Sequence, residues 1–243
     1  MTFQLGKQVM TKLDSIKAEK QNAAKKAAAK EAVNLVQDGM IIGLGTGSTA
    51  AIFLEFLADK LQRESLKITA VATSTRIEKL AIEKHIPILP ADSFNWIDLT
   101  VDGADQVDAQ KRLIKGLGGA LLKEKIVASS SRQMAVIVDD SKIVPRFTQG
   151  PLPIEILPFG VNSTLRRIQE KGFQPVLRKK GEELYTTDSG NFIADIAFAN
   201  EIIPERDEQL LLTIPGVIET GFFIDIASII IVGYPDGSTK IQT

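Results

Sequence analysis

The chain has 243 residues, 44% of them hydrophobic and 6% aromatic, with 29 basic against 30 acidic side chains and a formal net charge of −1. That length supports a substantial core, as one domain or as a larger and a smaller one, and the near-balance of charge leaves no footprint for nucleic acid or anionic lipid. The absence of cysteine excludes disulfides, thiolate metal sites and cysteine nucleophiles.

Residues 1–38 are rich in Ala and Lys, good helix formers, and the seven lysines in the first thirty positions predict a solvated helical face. This opening never sustains the apolar core of a signal peptide, and no run in the chain approaches the roughly eighteen apolar residues of a membrane span. The expectation is therefore a cytoplasmic protein without a membrane or nucleic-acid partner. GMIIGLGTGSTAAIFLEFLADKL follows as a short apolar strand, a glycine-rich turn and an amphipathic helix. LKITAVATST and RIEKLAIEKH repeat strand and helix. The only histidine, His85, closes that stretch and reads as a helix terminus or turn, which leaves acid–base chemistry to carboxylates and lysines. IPILPADSFNWIDLTVDGAD predicts one or two strands, GGALLKEKIVASSS a helix and QMAVIVDDSK the next strand. Strands alternating with helices imply an α/β fold with a doubly wound, mostly parallel, Rossmann-like sheet.

PRFTQGPLPIEILPFG holds four prolines and two glycines and predicts a linker or domain edge. Beyond it come a helix (VNSTLRRIQEKG), two alternating stretches (FQPVLRK, NFIADIAF), a second helix (PERDEQLLLTI), the glycine-flanked GVIETGFF, and a strand with a PDG turn (ASIIIVGYPDGSTKIQT). The expected organisation is a Rossmann-like catalytic domain of residues 1–150 plus 216–243, with 1–20 as an extension. Residues 151–215 form a second, smaller α+β domain, and the last strand is free to rejoin the first sheet.

Ligands of open parallel sheets sit beyond the carboxyl ends of the strands, near a topological switch point. Four predicted strands here stop in polar sequence: TGST, TST, DGAD and DDSK. GLGTGSTA is not a dinucleotide fingerprint, because the third glycine position falls on Ser48, and no Gly-Lys-Ser/Thr follows to make a Walker motif. What survives is a tight glycine turn, the N–H groups of a helix start, and the hydroxyls of Thr46, Ser48 and Thr49. A phosphate cradle and a capped turn that holds nothing fit this equally. In KGLGGALLKEK, Lys115 precedes Gly116, Gly118 and Gly119, and a helix then presents Lys123, Glu124 and Lys125. Glu124 has Ala120, Leu121, Val127 and Ala128 three and four positions away, a setting that would desolvate it, raise its pKa and suit a general base. Spacing alone nevertheless favours an exposed Glu124 paired with a lysine. VDGADQVD admits three readings: a metal site, although the spacing is not that of a calcium loop; turn chemistry; or a carboxylate pair, Asp102 and Asp105, balanced by a cation such as Lys115 and gripping sugar hydroxyls or moving protons.

Taken together, GLGTGSTA, DLTVDGADQVD, LIKGLGGALLKEKIVA, VDDSK, PLPIEILPFG and IPGVIETGFF stand in the order and spacing of type A ribose-5-phosphate isomerases, and the chain resembles that family from about Lys25 to its C-terminus. The resemblance implies an aldose–ketose isomerase of the non-oxidative pentose phosphate pathway. It would interconvert D-ribose 5-phosphate and D-ribulose 5-phosphate through an enediolate, with no metal or nucleotide cofactor, as a homodimer or homotetramer. By matching position, Glu124 is implied as the base that shuttles a proton between C1 and C2, and Lys115 as the group that stabilises the enediolate oxygen. Asp102 and Asp105 match a pair implicated in ring opening and hydroxyl binding. Thr46, Gly47, Ser48, Thr49, the glycine loop Gly116, Leu117 and Gly118, and Lys142 match substrate-binding positions, with Lys25 near the phosphate. Leu117 stands where many members carry glycine, and the first twenty or so residues have no counterpart. Rival readings are a sugar-phosphate sensor, which should lack the base and the lysine; a CoA-transferring enzyme, which needs a glutamate nucleophile in another loop; and a nicotinamide dehydrogenase, which the glycine spacing disfavours.

Overall fold

The computed structural model describes residues 2–90, 92–148, 150–198 and 202–243; Met1, at the start of the expected extension, lies outside them. Helix α1 (Thr2–Ala32) buries Ala24, Ala28, Ala29 and Ala32 completely, a small-residue stripe that lets the helix lie close to what it covers. Strand β1 (Ile41–Leu44) leads into α2 (Ser48–Glu64), β2 (Thr69–Ala72) into α3 (Thr75–Glu83), and β3 (Ile97–Asp102) into a ribbon of β4 (Gln106–Val107) and β5 (Leu113–Ile114). Helix α4 (Leu121–Ser129) precedes β6 (Ser131–Asp139). The second half runs through β7 (Pro151–Ile156), α5 (Val161–Glu170), β8 (Gln174–Leu177), the short ribbon β9 (Lys179–Lys180) and β10 (Glu183–Leu184), and β11 (Phe192–Ala197). Helix α6 (Pro204–Leu212) then leads to β12 (Val217–Thr220), β13 (Phe222–Phe223), β14 (Ile229–Gly233) and β15 (Thr239–Gln242).

The main sheet has the order β15-β14-β6-β3-β1-β2. Every neighbour pair from β14 to β2 is parallel, and β15 closes the edge as an antiparallel hairpin partner of β14. Strands such as β6 and β14 are apolar at successive positions because helices cover both faces. The chain therefore has the α/β architecture that its alternating pattern implies, with a mixed, mostly parallel six-stranded sheet and smaller antiparallel ones. Ile42, Leu44, Phe53, Leu54, Leu57, Leu99 and Ile137 centre its core. A second, antiparallel sheet has the order β12-β7-β11-β8 and its own core of Ile154, Ile156, Ile168, Ala194, Ile196, Leu211 and Phe222. A three-stranded sheet, β13-β5-β4, stands between them.

Gly233 explains how α1 reaches the sheet. A Cβ there would sit 2.0 Å from the Ala24 carbonyl oxygen and 2.8 Å from the Ala28 nitrogen, so only glycine admits the helix backbone at this distance.

Two sequence readings change. The proline-rich stretch read as a linker contains β7, an inner strand of the second sheet. Its prolines are tolerated because Gly221 N–H donates to the Pro153 carbonyl at 2.7 Å, which puts the missing N–H of Pro153 on the β12 flank, just past the last pair of that ladder, Thr220 with Ile154. Pro151, two residues away, faces the same flank further out, where β12 has ended. Of the one or two strands expected in IPILPADSFNWIDLTVDGAD one forms, β3, while Ile88 makes only an isolated bridge to Ala70. The second sheet reaches Thr220, beyond the expected boundary at residue 215. The final β14 does return to the main sheet beside β6. Among the described residues no helix is long and apolar enough to cross a membrane.

Candidate functional site

The parallel strands bring their carboxyl ends to one rim, so β1 delivers Thr46, β2 delivers Thr73 and Ser74, β3 delivers Asp102, and β6 delivers Asp139. Between β1 and β3 the chain winds off in opposite directions, and a cleft opens there. Lys25, Thr46, Gly47, Ser48, Thr49, Asp105, Lys115, Gly116, Gly118, Glu124 and Lys142 all line it. Residues that the sequence spreads over more than a hundred positions thus meet in one place.

The floor is a charge cluster. Lys115, at the end of β5 and 2% exposed, donates to the Gly103 carbonyl at 2.6 Å. It makes ion pairs with Asp102 Oδ2 at 2.9 Å and Glu124 Oε1 at 3.3 Å, and its Nζ stands 5.4 Å from the ring centre of Phe223. Asp102 is fully buried and accepts from Gly103 N–H at 2.7 Å and Thr46 N–H at 3.1 Å through Oδ1. A Cβ at Gly45 would fall 2.0 Å from that oxygen, which is why the turn after β1 carries glycine at this step. The like charges of the aspartate-rich loop are thereby separated in function: Asp102 is held by the lysine, while Asp105 accepts from Leu117 N–H at 2.9 Å and faces the cleft.

Glu124 is 4% exposed, which corrects the reading that favoured an exposed glutamate paired with a neighbouring lysine. It shares the inner face of α4 with Leu121, Val127 and Ala128, all buried, and its partner is Lys115 across the loop rather than a lysine of its own helix. Its Oε2 is buried with no hydrogen-bond partner. Burial pushes the Glu124 carboxyl up to about 8, against the attraction of Lys115 and with help from Asp102 and Asp105. Burial also raises Asp102, opposed by Lys115 and the two N–H donors. For Lys115 burial disfavours the charge, but the attraction of Asp102 and Glu124 outweighs it and holds the ammonium above the ordinary lysine range.

The glycine turn has no side-chain cap where helix α2 starts at Gly47. The Thr46 hydroxyl is engaged with Thr73 at 2.7 Å and Ser74 at 2.9 Å, and the Ser48 hydroxyl accepts from Lys25 Nζ at 3.1 Å. The N–H groups of the first turn are left to the cleft, beside Lys25 and Lys142, an arrangement that suits an anion. Lys142 stands on a short 3₁₀ turn pinned by Asp139, whose Oδ1 accepts from Ser141 N–H at 3.1 Å and from its hydroxyl.

Of the sequence-derived candidates, Leu117 and Asp102 do not line the cleft; the Leu117 side chain is 48% exposed, and its N–H, on Asp105, takes part. Asp102 lies beneath the cleft rather than on its wall. His85 ends α3 in a left-handed conformation, φ 57°, away from the site. Sequence reasoning placed Thr73, Ser74 and Asp139 in polar strand ends at the rim without giving them a role, and it missed Phe223, whose neighbours along the chain read as core. It also missed Arg178 and Tyr185 of the second half, which reach the glycine loop through its carbonyls.

The profile of the family described as ribose 5-phosphate isomerase A (phosphoriboisomerase A) matches residues 69–237. Over 226 residues the chain is 46% identical to the ribose-5-phosphate isomerase A of Ruegeria sp. (strain TM1040), covering 90% of this chain and 86% of that protein. Its fold matches a D-ribose-5-phosphate isomerase solved in complex with phospho-erythronic acid, with a TM-score of 0.86, 42% identity, and coverage of 92% of this chain and 98% of the other. Ribose 5-phosphate isomerase A from Methanocaldococcus jannaschii matches at a TM-score of 0.85 and 36% identity, over 90% and 97% of the two chains.

Proposed function

The chain belongs to the ribose 5-phosphate isomerase A family and interconverts ribose 5-phosphate and ribulose 5-phosphate, and from that premise we propose that Glu124 is the base that carries the proton between C2 and C1. The observation that carries the assignment is the Glu124 Oε2 atom: buried, without a partner, on a side chain that lines the cleft. An unpartnered carboxylate oxygen out of water is a strong base, and one carboxylate over two adjacent carbons can perform both halves of the reaction.

In the open-chain aldose, Glu124 removes hydrogen from C2 and the electron pair moves toward the C1 oxygen, giving an enediolate. Returning the same proton to C1, with a hydroxyl proton passing from O2 to O1, leaves the ketose. Negative charge on oxygen is the costly feature of this path. Lys115, kept protonated by Asp102 and Glu124, stabilises it from a site nearly closed to water, where such an interaction is strongest. Asp105 faces the cleft and is assigned the substrate hydroxyls and the proton movements of ring opening. Asp102, buried and committed to Lys115, holds the lysine in place. The phosphate is assigned to the first turn of α2 with Thr46, Gly47, Ser48 and Thr49, flanked by Lys25 and Lys142. Gly116 and Gly118 supply main-chain donors beside the reacting carbons. The carboxylates and lysine provide both base and electrostatic stabilisation, so the proposal includes no metal or nucleotide cofactor.

Two broader assignments belong to the same reading. The enzyme works in the cytoplasm, and it assembles as a homodimer or homotetramer, an assignment supported by the exposure of Phe159 at 88% and Val176 at 66% on the second sheet's side of the molecule. Static light scattering behind gel filtration measures the assembly directly.

The deciding experiment is a coupled assay for ribulose 5-phosphate formed from ribose 5-phosphate, run with EDTA present, on the wild type and on Glu124→Gln. The wild type is expected to turn over in EDTA, and the variant to lose at least roughly a hundredfold in kcat while still binding substrate. Near-normal turnover by Glu124→Gln would remove Glu124 from the role of base.

A further inference from the structure

We infer that Arg178, clamped by Asp195, is a positioning residue for the isomerisation: from the second sheet it fixes the two peptide planes of the glycine loop that set Asp105 and present the Gly118 N–H to the cleft. The inference rests on the functional reading above and extends it to a residue that touches no substrate.

The geometry is specific. Arg178 follows β8, and its guanidinium forms a two-pronged pair with Asp195 of β11, through Nε to Oδ2 at 2.8 Å and Nη2 to Oδ1. Both side chains are largely buried, at 14% and 24% exposure. The remaining nitrogen, Nη1, donates to the Gly116 carbonyl at 2.9 Å and the Leu117 carbonyl at 3.1 Å. Tyr185 adds a third contact, its hydroxyl reaching the Gly118 carbonyl at 3.4 Å, and its ring lies 5.9 Å from the guanidinium carbon. Three successive carbonyls are thus turned toward the second sheet.

A trans peptide is planar, with its N–H opposite its C=O, so holding a carbonyl also aims the following N–H. The plane pinned at Gly116 points the Leu117 N–H away from Arg178, and that N–H is the one that holds Asp105 Oδ2 at 2.9 Å. The plane pinned at Leu117 points the Gly118 N–H to the same side, where Gly118 lines the cleft with Asp105 and Glu124. Only the third plane differs, because the Gly119 N–H turns back onto the Gly116 carbonyl at 2.9 Å. One guanidinium thereby aims a carboxylate at substrate hydroxyls and a main-chain donor at the reacting end of the sugar. Lysine cannot replace it: a single ammonium lacks the planar fork that grips Asp195 with one edge and two carbonyls with the other.

Three proteins test this: Arg178→Ala, Arg178→Lys, and Ile193→Val as a control that trims a buried side chain of the second sheet and leaves the Arg178 guanidinium in place. Each is assayed for kcat and KM with ribose 5-phosphate and for thermal stability. Loss of loop placement should lower kcat by roughly tenfold or more in both Arg178 variants, since small misplacements of catalytic groups are costly. KM should change less than about threefold, because the phosphate site is on α2, and the acid limb of the pH–rate profile, which Glu124 sets, should stay in place. Added guanidinium ion should restore part of the kcat of Arg178→Ala and none of that of Ile193→Val. If Arg178→Ala does not fold, Arg178→Lys decides by the same split. A kcat within twofold of wild type in Arg178→Lys, or a kcat loss no greater than that of an equally destabilised Ile193→Val, would overturn the inference. The reading of Glu124 stands or falls separately, on the wild type and Glu124→Gln in the same assay.

Discussion

A carboxyl group taken out of water resists ionisation, and Glu124 sits with 4% of its surface exposed and a titration pushed up to about 8. As the base it must be ionised to act, so kcat/KM is expected to rise with pH through neutrality and level off near 8. A pH–rate profile of the free enzyme checks this, and a profile already flat from pH 5 would contradict it. The same shift has a stability consequence of opposite sign. The folded state keeps a proton on Glu124 between about 4.5 and 8 that the unfolded chain has released, so over that window stability falls as pH rises; below it both states are protonated and no difference remains. Lys115, whose titration is raised, adds stability that is lost only at still higher pH. Replacing the ionisable group by an amide removes the cost of the buried charge. Glu124→Gln should therefore melt at a higher temperature than the wild type at pH 8.5 and at nearly the same temperature at pH 5, while remaining inactive. Equal melting temperatures at both values would show that the carboxyl is not strained by burial. This residue was legible as a candidate because four apolar neighbours surround it on its helix. Its burial was not, because those neighbours describe one face of α4 and say nothing of the loop carrying Lys115 that closes over it.

Among the elements, the alternating strands and helices of the main sheet could be read directly, since buried parallel strands are continuous apolar runs with helices between them. The second sheet was harder. Prolines 151 and 153 argue against an inner strand, and only the end of β12 beside them makes β7 possible, a circumstance set by residues 217–221 and invisible in the local pattern. The first helix shows a third case: its lysines announce a solvated face, but the alanine stripe beneath has meaning only once Gly233 is placed against it. That contact yields a prediction about function. The atoms a Cβ at residue 233 would strike are the backbone of α1 at Ala24 and Ala28, which cannot yield as a side chain could. Gly233→Ala should push the helix off the sheet at a cost of about 1–3 kcal/mol, the usual penalty for an overpacked core. Lys25, next to Ala24, would then leave Ser48 and the cleft. The expected result is a KM for ribose 5-phosphate raised several-fold with a smaller change in kcat, measured beside the melting temperature. A lowered melting temperature with an unaltered KM would separate the helix from phosphate binding.

At the scale of the whole molecule, the chemistry depends on α4 being set by both sheets at once. The helix packs on β3 and β6 of the main sheet and on β7 and β12 of the second, so the base on its inner face is placed by two cores. A strand-by-strand reading locates the rim of the first sheet and four of its polar ends, but it cannot show that the second sheet backs the glycine loop and α4, because Arg178 and Glu219 carry no local motif. Lys125 is the clearest link between the halves. Its ammonium lies 2.9 Å from Glu208 on α6 and 2.6 Å from Glu219 on β12, over the ring of Phe223, with 12% of the side chain exposed. Without it the two glutamates, each about one-fifth exposed, face one another with no cation between them. Breaking a buried pair by deleting one partner costs about 3–5 kcal/mol, and partial exposure here places Lys125→Met near the lower end. For a chain of this length that corresponds to a fall of roughly 6–10 °C in melting temperature. In the wild type, loss of activity and loss of far-ultraviolet circular dichroism should coincide on heating, because neither sheet can leave without displacing α4. In Lys125→Met the second sheet loses its hold on the helix, so activity should disappear several degrees before the secondary structure of the main sheet. Coincident curves in the variant, at the wild-type temperature, would mean that the two cores are joined elsewhere and that α4 takes its position from the main sheet alone.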